Sequence, residues 1–189
     1  MENLMYFVRY VDGEEGKMAH METLETRVPV NIHLEDDSDF DLKEGTLCKV
    51  YLSADGADLS FYDDEDSFKN TGIGLASQSI IPAGTFSLEP NASDFQPSPF
   101  IIFAGKVPVF QFSEDANNPD EPNFRFFVQS FELNFWLYYR LPSKFKELND
   151  EEYEVYKKED SSGINLQNGM IVYGLAWLYG TVKSAVIYE

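Results

Sequence analysis

Phe131-Glu-Leu-Asn-Phe-Trp-Leu-Tyr-Tyr-Arg-Leu141 repeats with a period of two. Its odd positions are Phe131, Leu133, Phe135, Leu137, Tyr139 and Leu141. Its even positions are Glu132, Asn134, Trp136, Tyr138 and Arg140. Successive side chains of a strand point to opposite faces, so this reads as a β-strand with one core face and one mixed polar and aromatic face. A helix would repeat every three to four residues. The surrounding composition agrees: aromatics make up 15% of the chain, with 16 Phe and 11 Tyr, and flat rings pack well on a pleated surface.

Working outward, the same reading extends through the second half of the chain. Phe100 to Phe112 is a long strand interrupted at Gly105 and Pro108. The polar run 114–123, EDANNPDEPN, is a strand-joining loop. The segment Ser143–Glu159 reads as the one helix, with Asn149 as N-cap and Glu152 as its capping-box partner. Met170 to Val182 is a strand containing Gly174 and Gly180, and glycine inside a strand marks a bend or bulge such as a barrel corner needs.

The first half is more broken. Met5 to Val11 is a strand followed by a turn at Gly13–Gly16. Val28, Val30, Ile32 and Leu34 alternate with Pro29, Asn31 and His33, which predicts a half-buried strand at a sheet edge. Glu35 to Glu44 is an acidic loop. Thr46–Leu52 and Leu59–Tyr62 flank Ala54-Asp55-Gly56 and predict a hairpin, and Asp63–Phe68 predicts one helical turn. Pro90, Pro97 and Pro99 stand among small polar residues, as in a linker. The expected organisation is an acidic β unit over 1–88, a Pro-rich connection over 89–99 and a second β unit over 100–189. No internal repeat is legible.

The residues Ser79-Ile-Ile-Pro-Ala-Gly-Thr-Phe86, Phe95-Gln-Pro-Ser-Pro-Phe100, Phe103-Ala-Gly-Lys-Val107, Gly169-Met-Ile-Val-Tyr-Gly174 and Trp177-Leu-Tyr-Gly180 together resemble a family of small uncharacterised bacterial proteins. The N-terminal hairpin with Tyr62 and the acidic turn Asp63–Phe68 share in that likeness. The resemblance implies an OB-like β-barrel in the C-terminal part, carrying one helix, and no known activity. The expected fold class is therefore mainly β, in two small units of which the second is the OB-like barrel.

Charge bounds the partners. Thirty-three acids against 14 bases give a net charge of −19. Residues 1–99 carry −14 of it and residues 100–189 carry −5. Such a field repels phosphate backbones and anionic lipid, and it favours basic partners or plain solubility. Neither a signal peptide nor a membrane span is visible, so the cytoplasm is the expected compartment.

Motifs for chemistry are weak. Ser143-Lys-Phe-Lys146 matches Ser-x-x-Lys, but the companion motifs of penicillin-recognising enzymes are missing, and Ser143 reads instead as a helix start. Read from Asp37, the acidic run fails the EF-hand pattern, with Leu42 where glycine and Cys48 where glutamate is needed, and it reads as a solvated loop. His20 and His33 lack further nitrogen or sulfur ligands nearby, so no metal is expected. Gly72-Ile-Gly74 has no third glycine, and no cofactor is expected. Cys48 shares a strand face with Val50 and Leu52 and reads as a buried thiol.

Two functions survive. The first is a non-enzymatic interaction module of the immunity, inhibitor or adaptor kind. It would dock a basic protein through Asp36, Asp37, Asp39, Asp41 and Glu44, with Asp63, Asp64, Glu65 and Asp66 beside them. The second is a ligand-binding barrel, or an enzyme, using Trp136, Tyr138, Tyr173, Trp177 and Tyr179. Bases could stack on such rings, but the charge opposes nucleic acid.

Overall fold

A computed structural model describes residues 2–13, 16–86, 95–112, 124–139 and 168–185. The protein is mainly β. Among the described residues the strands are β1 (Asn3–Gly13), β2 (Gly16–Thr23), β3 (Pro29–Leu34), β4 (Leu47–Tyr62), β5 (Ser79–Ile81), β6 (Phe100–Phe112), β7 (Phe124–Ser130), β8 (Leu133–Tyr139) and β9 (Met170–Ser184). One short helix, α1 (Glu65–Lys69), follows β4. Asp64 caps it, its carboxylate accepting from the Ser67 amide at 2.7 Å. This is the helical turn expected at Asp63–Phe68. The helix expected at Ser143–Glu159 and the loop at 114–123 lie outside the described residues.

The strands form one sheet in the order β1-β2-β3-β9-β4-β8-β7-β6-β5, and the pairings β1–β4 and β9–β6 close it upon itself twice. The first ring runs β1-β2-β3-β9-β4 and returns to β1; the second runs β6-β7-β8-β4-β9 and returns to β6. Both follow one plan. A three-strand antiparallel meander is joined by its own long fourth strand, and the fifth strand is borrowed from the other half of the chain. The borrowed strand runs parallel to the end of the meander, β9 beside β3 and β4 beside β8, and antiparallel to the long strand. A five-stranded ring of this Greek-key order is OB-like.

The plan implies a pseudo-two-fold axis through the long β4–β9 ladder. Placed at the Ser53–Tyr179 pair, it relates Leu52 to Leu178, Val50 to Ala176 and Ile32 to Phe135, all buried. The first strand of each meander carries an irregularity, between Phe7 and Arg9 in β1 and between Lys106 and Val109 in β6. Bulges let a strand bend round a ring. The second ring is thus not closed by the C-terminal half alone, since its fifth strand is β4. β1 to β4 precede the Pro-rich connection, β6 to β9 follow it, and one apolar cluster takes Met5, Ile32 and Val50 from one side and Phe103, Phe135 and Leu178 from the other.

Glycine is needed where the ribbon is tightest. A Cβ on Gly180 would stand 2.6 Å from the Tyr51 carbonyl, and one on Gly174 would stand 2.6 Å from the Leu59 side chain. Cys48 is buried in the core, on the face it shares with Val50 and Leu52, and burial, with Asp39 adding to it, pushes its thiol up to about 11.

Three local expectations are corrected. The hairpin at Ala54-Asp55-Gly56 does not form: β4 runs unbroken from Leu47 to Tyr62, because β9 offers it a ladder along its whole length. Only a register shift between Ala57 and Ser60 remains of the turn signal, and Asp58 there has φ 50°. β3 is not an edge strand; it lies between β2 and β9, and Pro29 is tolerated at its first residue. Phe131 is not core. It sits in the β7–β8 turn with φ 50° and is 50% exposed, whereas Leu133, Phe135 and Leu137 are buried as the alternation requires. Leu141 lies outside the described residues.

Candidate functional site

The register of β8, β4 and β9 builds a two-row aromatic face on the outside of the sheet. Leu52 and Ala54 of β4 point into the core, so Ser53 and Asp55 point outward. Ser53 pairs with Trp136 on β8 and with Tyr179 on β9. Asp55 pairs with Tyr138 on β8 and with Trp177 on β9. Directly paired residues share a face with their Cβ atoms about 5 Å apart. A serine and a carboxylate therefore form the floor between two aromatic rims, which are separated by two strand spacings, about 10 Å.

Each rim is braced from behind by a further ring. Trp136 packs on Phe127 at 5.4 Å between centroids, Tyr179 on His33 at 5.5 Å and Trp177 on Phe100 at 5.3 Å. The Arg125 guanidinium lies 5.2 Å over Tyr138, a cation–π contact. Asp55 is exposed, and among the described residues it has no ion pair. The indole N–H of Trp177 is buried and finds no acceptor among the described residues, a cost of about 1–3 kcal/mol in general. Of the five aromatics expected in a ligand site, four converge here. Tyr173 does not: it pairs with Ser60 and packs 6.2 Å from Phe68, beside α1.

The first acidic segment borders this face. Thr181 follows Tyr179 on the same side of β9, and its hydroxyl lies 2.9 Å from a Glu35 carboxylate oxygen and 2.8 Å from an Asp37 oxygen. The rest of the loop is clamped to the end of β9. Asp39 donates its backbone N–H to the Val182 carbonyl at 2.8 Å. Its carboxylate accepts from the Ser184 amide at 2.7 Å and pairs with Lys183 at 3.7 Å. The backbone hydrogen bond from Ser184, aided by Lys183, holds the Asp39 carboxyl below its ordinary value. The Tyr10 hydroxyl donates to the Asp39 carbonyl at 3.1 Å and accepts from the Leu42 amide at 3.0 Å. Burial pushes that hydroxyl's pKa up.

Asp36, Asp37, Asp41 and Glu44 are exposed, and Asp39 is half-buried. A groove of about 570 Å³ opens beside the loop, lined by Ser38, Asp39, Phe40, Asp41, Leu42, Lys43, Thr46 and Ser184. Phe40 projects there with Lys17 5.3 Å from its ring.

The second acidic segment is not beside the first. The loop precedes Leu47 and abuts the end of β9, whereas Asp63, Asp64, Glu65 and Asp66 follow Tyr62 at the other end of the 16-residue β4. There α1 buries Phe68 against Ala104 and Ile171, and Lys69 pairs with Glu65 and Asp66. Among the described residues no cluster of metal-ligating side chains occurs. His20 instead meets the Asn31 side chain at 2.8 Å.

Ser53, Asp55, Thr181, Glu35 and the bracing rings were not legible as a site. The alternation put Trp136 and Tyr138 on the outward side of β8, but which strands would flank them depends on pairings far apart in sequence. No protein-family model, no curated protein and no solved structure matches the chain.

Proposed function

We propose that the chain is a protein-interaction module without chemistry of its own, and that it docks a basic partner through the acidic loop 35–44 and the face beside it. One observation carries this reading: the loop is preorganised. Its backbone and side chains are tied to β9 at Val182 and Ser184 and to Tyr10, while Asp36, Asp37, Asp41 and Glu44 remain at the surface. A loop already fixed in shape loses little entropy on binding. Its charge steers a cationic surface inward and selects against acidic ones. Exposed Phe40 supplies an apolar anchor that carboxylates alone would lack. Docking in the cytoplasm, and indifference to nucleic acid, belong to the same proposal. Among the described residues no helix is long and apolar enough to cross a membrane.

The test is capture of a basic protein from the source cell, followed by binding of the two purified proteins across a salt series. Replacing Asp36, Asp37, Asp39 and Asp41 with Asn should weaken binding and flatten its salt dependence. Equal binding by the variant sinks the proposal. The convergence of Trp136, Tyr138, Trp177 and Tyr179 supports a second reading, a planar ligand held on the outer face. The ring interiors hold large buried side chains such as Phe103, Phe126, Phe135 and Leu137, so the outer face is where such a ligand would sit.

A further inference from the structure

We propose that the floor at Asp55, between the Trp136–Tyr138 rim and the Trp177–Tyr179 rim, is the seat for an arginine side chain of the basic partner. The inference rests on the reading that the partner is basic, and it names the group that the partner inserts. A planar cation in van der Waals contact with a ring on either side needs about 7 Å between ring planes. The two rims, about 10 Å apart at the backbone, leave that room. Ring faces attract cations, and a carboxylate at the floor supplies the counter-charge.

Asp55 is exposed and without an ion pair among the described residues, so its carboxylate is open to a guest cation, while Arg125 lies over Tyr138 on the β7 side of that rim. The Glu35 and Asp37 carboxylates at Thr181 extend the negative charge along the same face. Guanidinium suits the site better than ammonium, because it can stack on a ring and present a fork to a carboxylate together. Two of the chain's own four arginines take comparable positions: Arg125 lies over Tyr138, and Arg27 lies 3.7 Å over Tyr6. Asp55 and the rims would add the orientation that a diffuse acidic field cannot give.

The chain's two tryptophans are Trp136 and Trp177, so intrinsic tryptophan fluorescence reads this seat directly. The full chain is titrated with an acetylated Gly-Arg repeat peptide and, in parallel, with the same peptide carrying citrulline, which keeps the shape and loses the charge. The expected result is a saturable fluorescence change with the arginine peptide, weaker by about tenfold with citrulline and by about fivefold with Asp55→Asn. A Tyr138→Leu variant should weaken it by a smaller factor. Retention of the unfolding midpoint shows that each variant is folded.

Equal response to arginine and citrulline overturns the inference. So does saturation by a neutral oligosaccharide or by oligothymidylate at lower concentration than by the peptide. If Asp55→Asn leaves the purified basic partner bound while the four-fold loop variant releases it, the arginine seat fails and the basic-partner reading stands. If neither variant affects binding, both fail.

Discussion

The two halves of the chain share a strand plan and differ in what they show to solvent. β1 to β4 and β6 to β9 each give a meander and a long strand, and each completes the other's ring. Inside, the equivalent positions remain apolar: Leu52 and Leu178, Ile32 and Phe135, Leu34 and Leu137. Outside, they diverge. Trp136 on β8 corresponds to His33 on β3, Tyr138 to Glu35, Asp55 to Thr181, and Trp177 to Tyr51. Even the contacts behind them correspond in place and differ in kind: Phe100 packs on Trp177, whereas Glu2 accepts a hydrogen bond from the Tyr51 hydroxyl at 3.2 Å. The pseudo-axis therefore runs between an aromatic half-face and a polar, acidic one. Packing tolerates few residue types inside a ring and many outside it, so interior likeness reports the fold while the exterior is free to differ between the halves.

The severest way to break this comparison is to attack the shared ribbon. Leu52 faces Gly180 across the ladder, and Leu178 faces Ala54, so a large residue meets a small one on either side of the axis. Leu52→Ala and Leu178→Ala should each cost about 2–5 kcal/mol, measured by urea unfolding. Because one apolar cluster spans both rings, each variant should still unfold in a single transition. Two separate transitions would show that the rings are independent bodies.

The plan of the fold was only half legible in the sequence, for a physical reason. Period-two alternation exposed β8, because one of its faces is buried along nearly its whole length, and β9 is the strand read at Met170–Val182. It failed at β4, where a local turn signal at Ala54-Asp55-Gly56 competed with a ladder to residues more than a hundred positions away. β2, Gly16–Thr23, was missed, since its buried Met18, Ala19 and Met21 do not alternate cleanly. The repeat was invisible because it lies in pairing order and not in residue identity. The aromatic face suffered likewise: its rims were visible, its floor was not.

A gentler test compares the two seams where the rings meet. Asn3 at the start of β1 donates to the Asn134 carbonyl at 2.9 Å and the Val50 carbonyl at 3.2 Å, and accepts from the Asn134 amide at 2.8 Å. At the related seam Asn31 of β3 donates to the Gly84 carbonyl at 3.0 Å and the Ser98 carbonyl at 3.1 Å, beside the start of β6. Both asparagines are buried, and removing either amide strands backbone groups away from water. Asn3→Ala and Asn31→Ala should each cost about 1–3 kcal/mol. A loss at one seam and none at the other would show that the correspondence is one of strand order only.

The smallest effect concerns the place where equivalent turns touch. The β7–β8 turn sends the Glu132 carboxylate onto the β2–β3 turn, where it accepts from the Glu25 amide at 3.0 Å and the Thr26 amide at 2.9 Å. The contact is one-sided, with the acid supplied by the second half and the bare N–H groups by the first. Burial pushes the Glu132 carboxyl up, but hydrogen bonds from Thr26, Glu25 and Thr23 outweigh it and hold the group below its ordinary value. A carboxyl whose folded pKa is depressed contributes stability that is present above its unfolded pKa, about 4.3, and lost as pH falls through the folded value. Glu132→Gln should therefore lower stability at pH 7 by about 1 kcal/mol or less, as expected of a partly exposed contact. The gap to wild type should hold down to about pH 5 and close below pH 4, as wild-type Glu132 itself becomes neutral. Asp39 and Asp64 are depressed too, by backbone hydrogen bonds from Ser184 and Ser67, but both remain in the variant and cancel in the difference. Paired urea titrations at pH 7 and pH 3 read the gap, and one that persists undiminished at pH 3 would show that the two turns are held by packing and not by this charge.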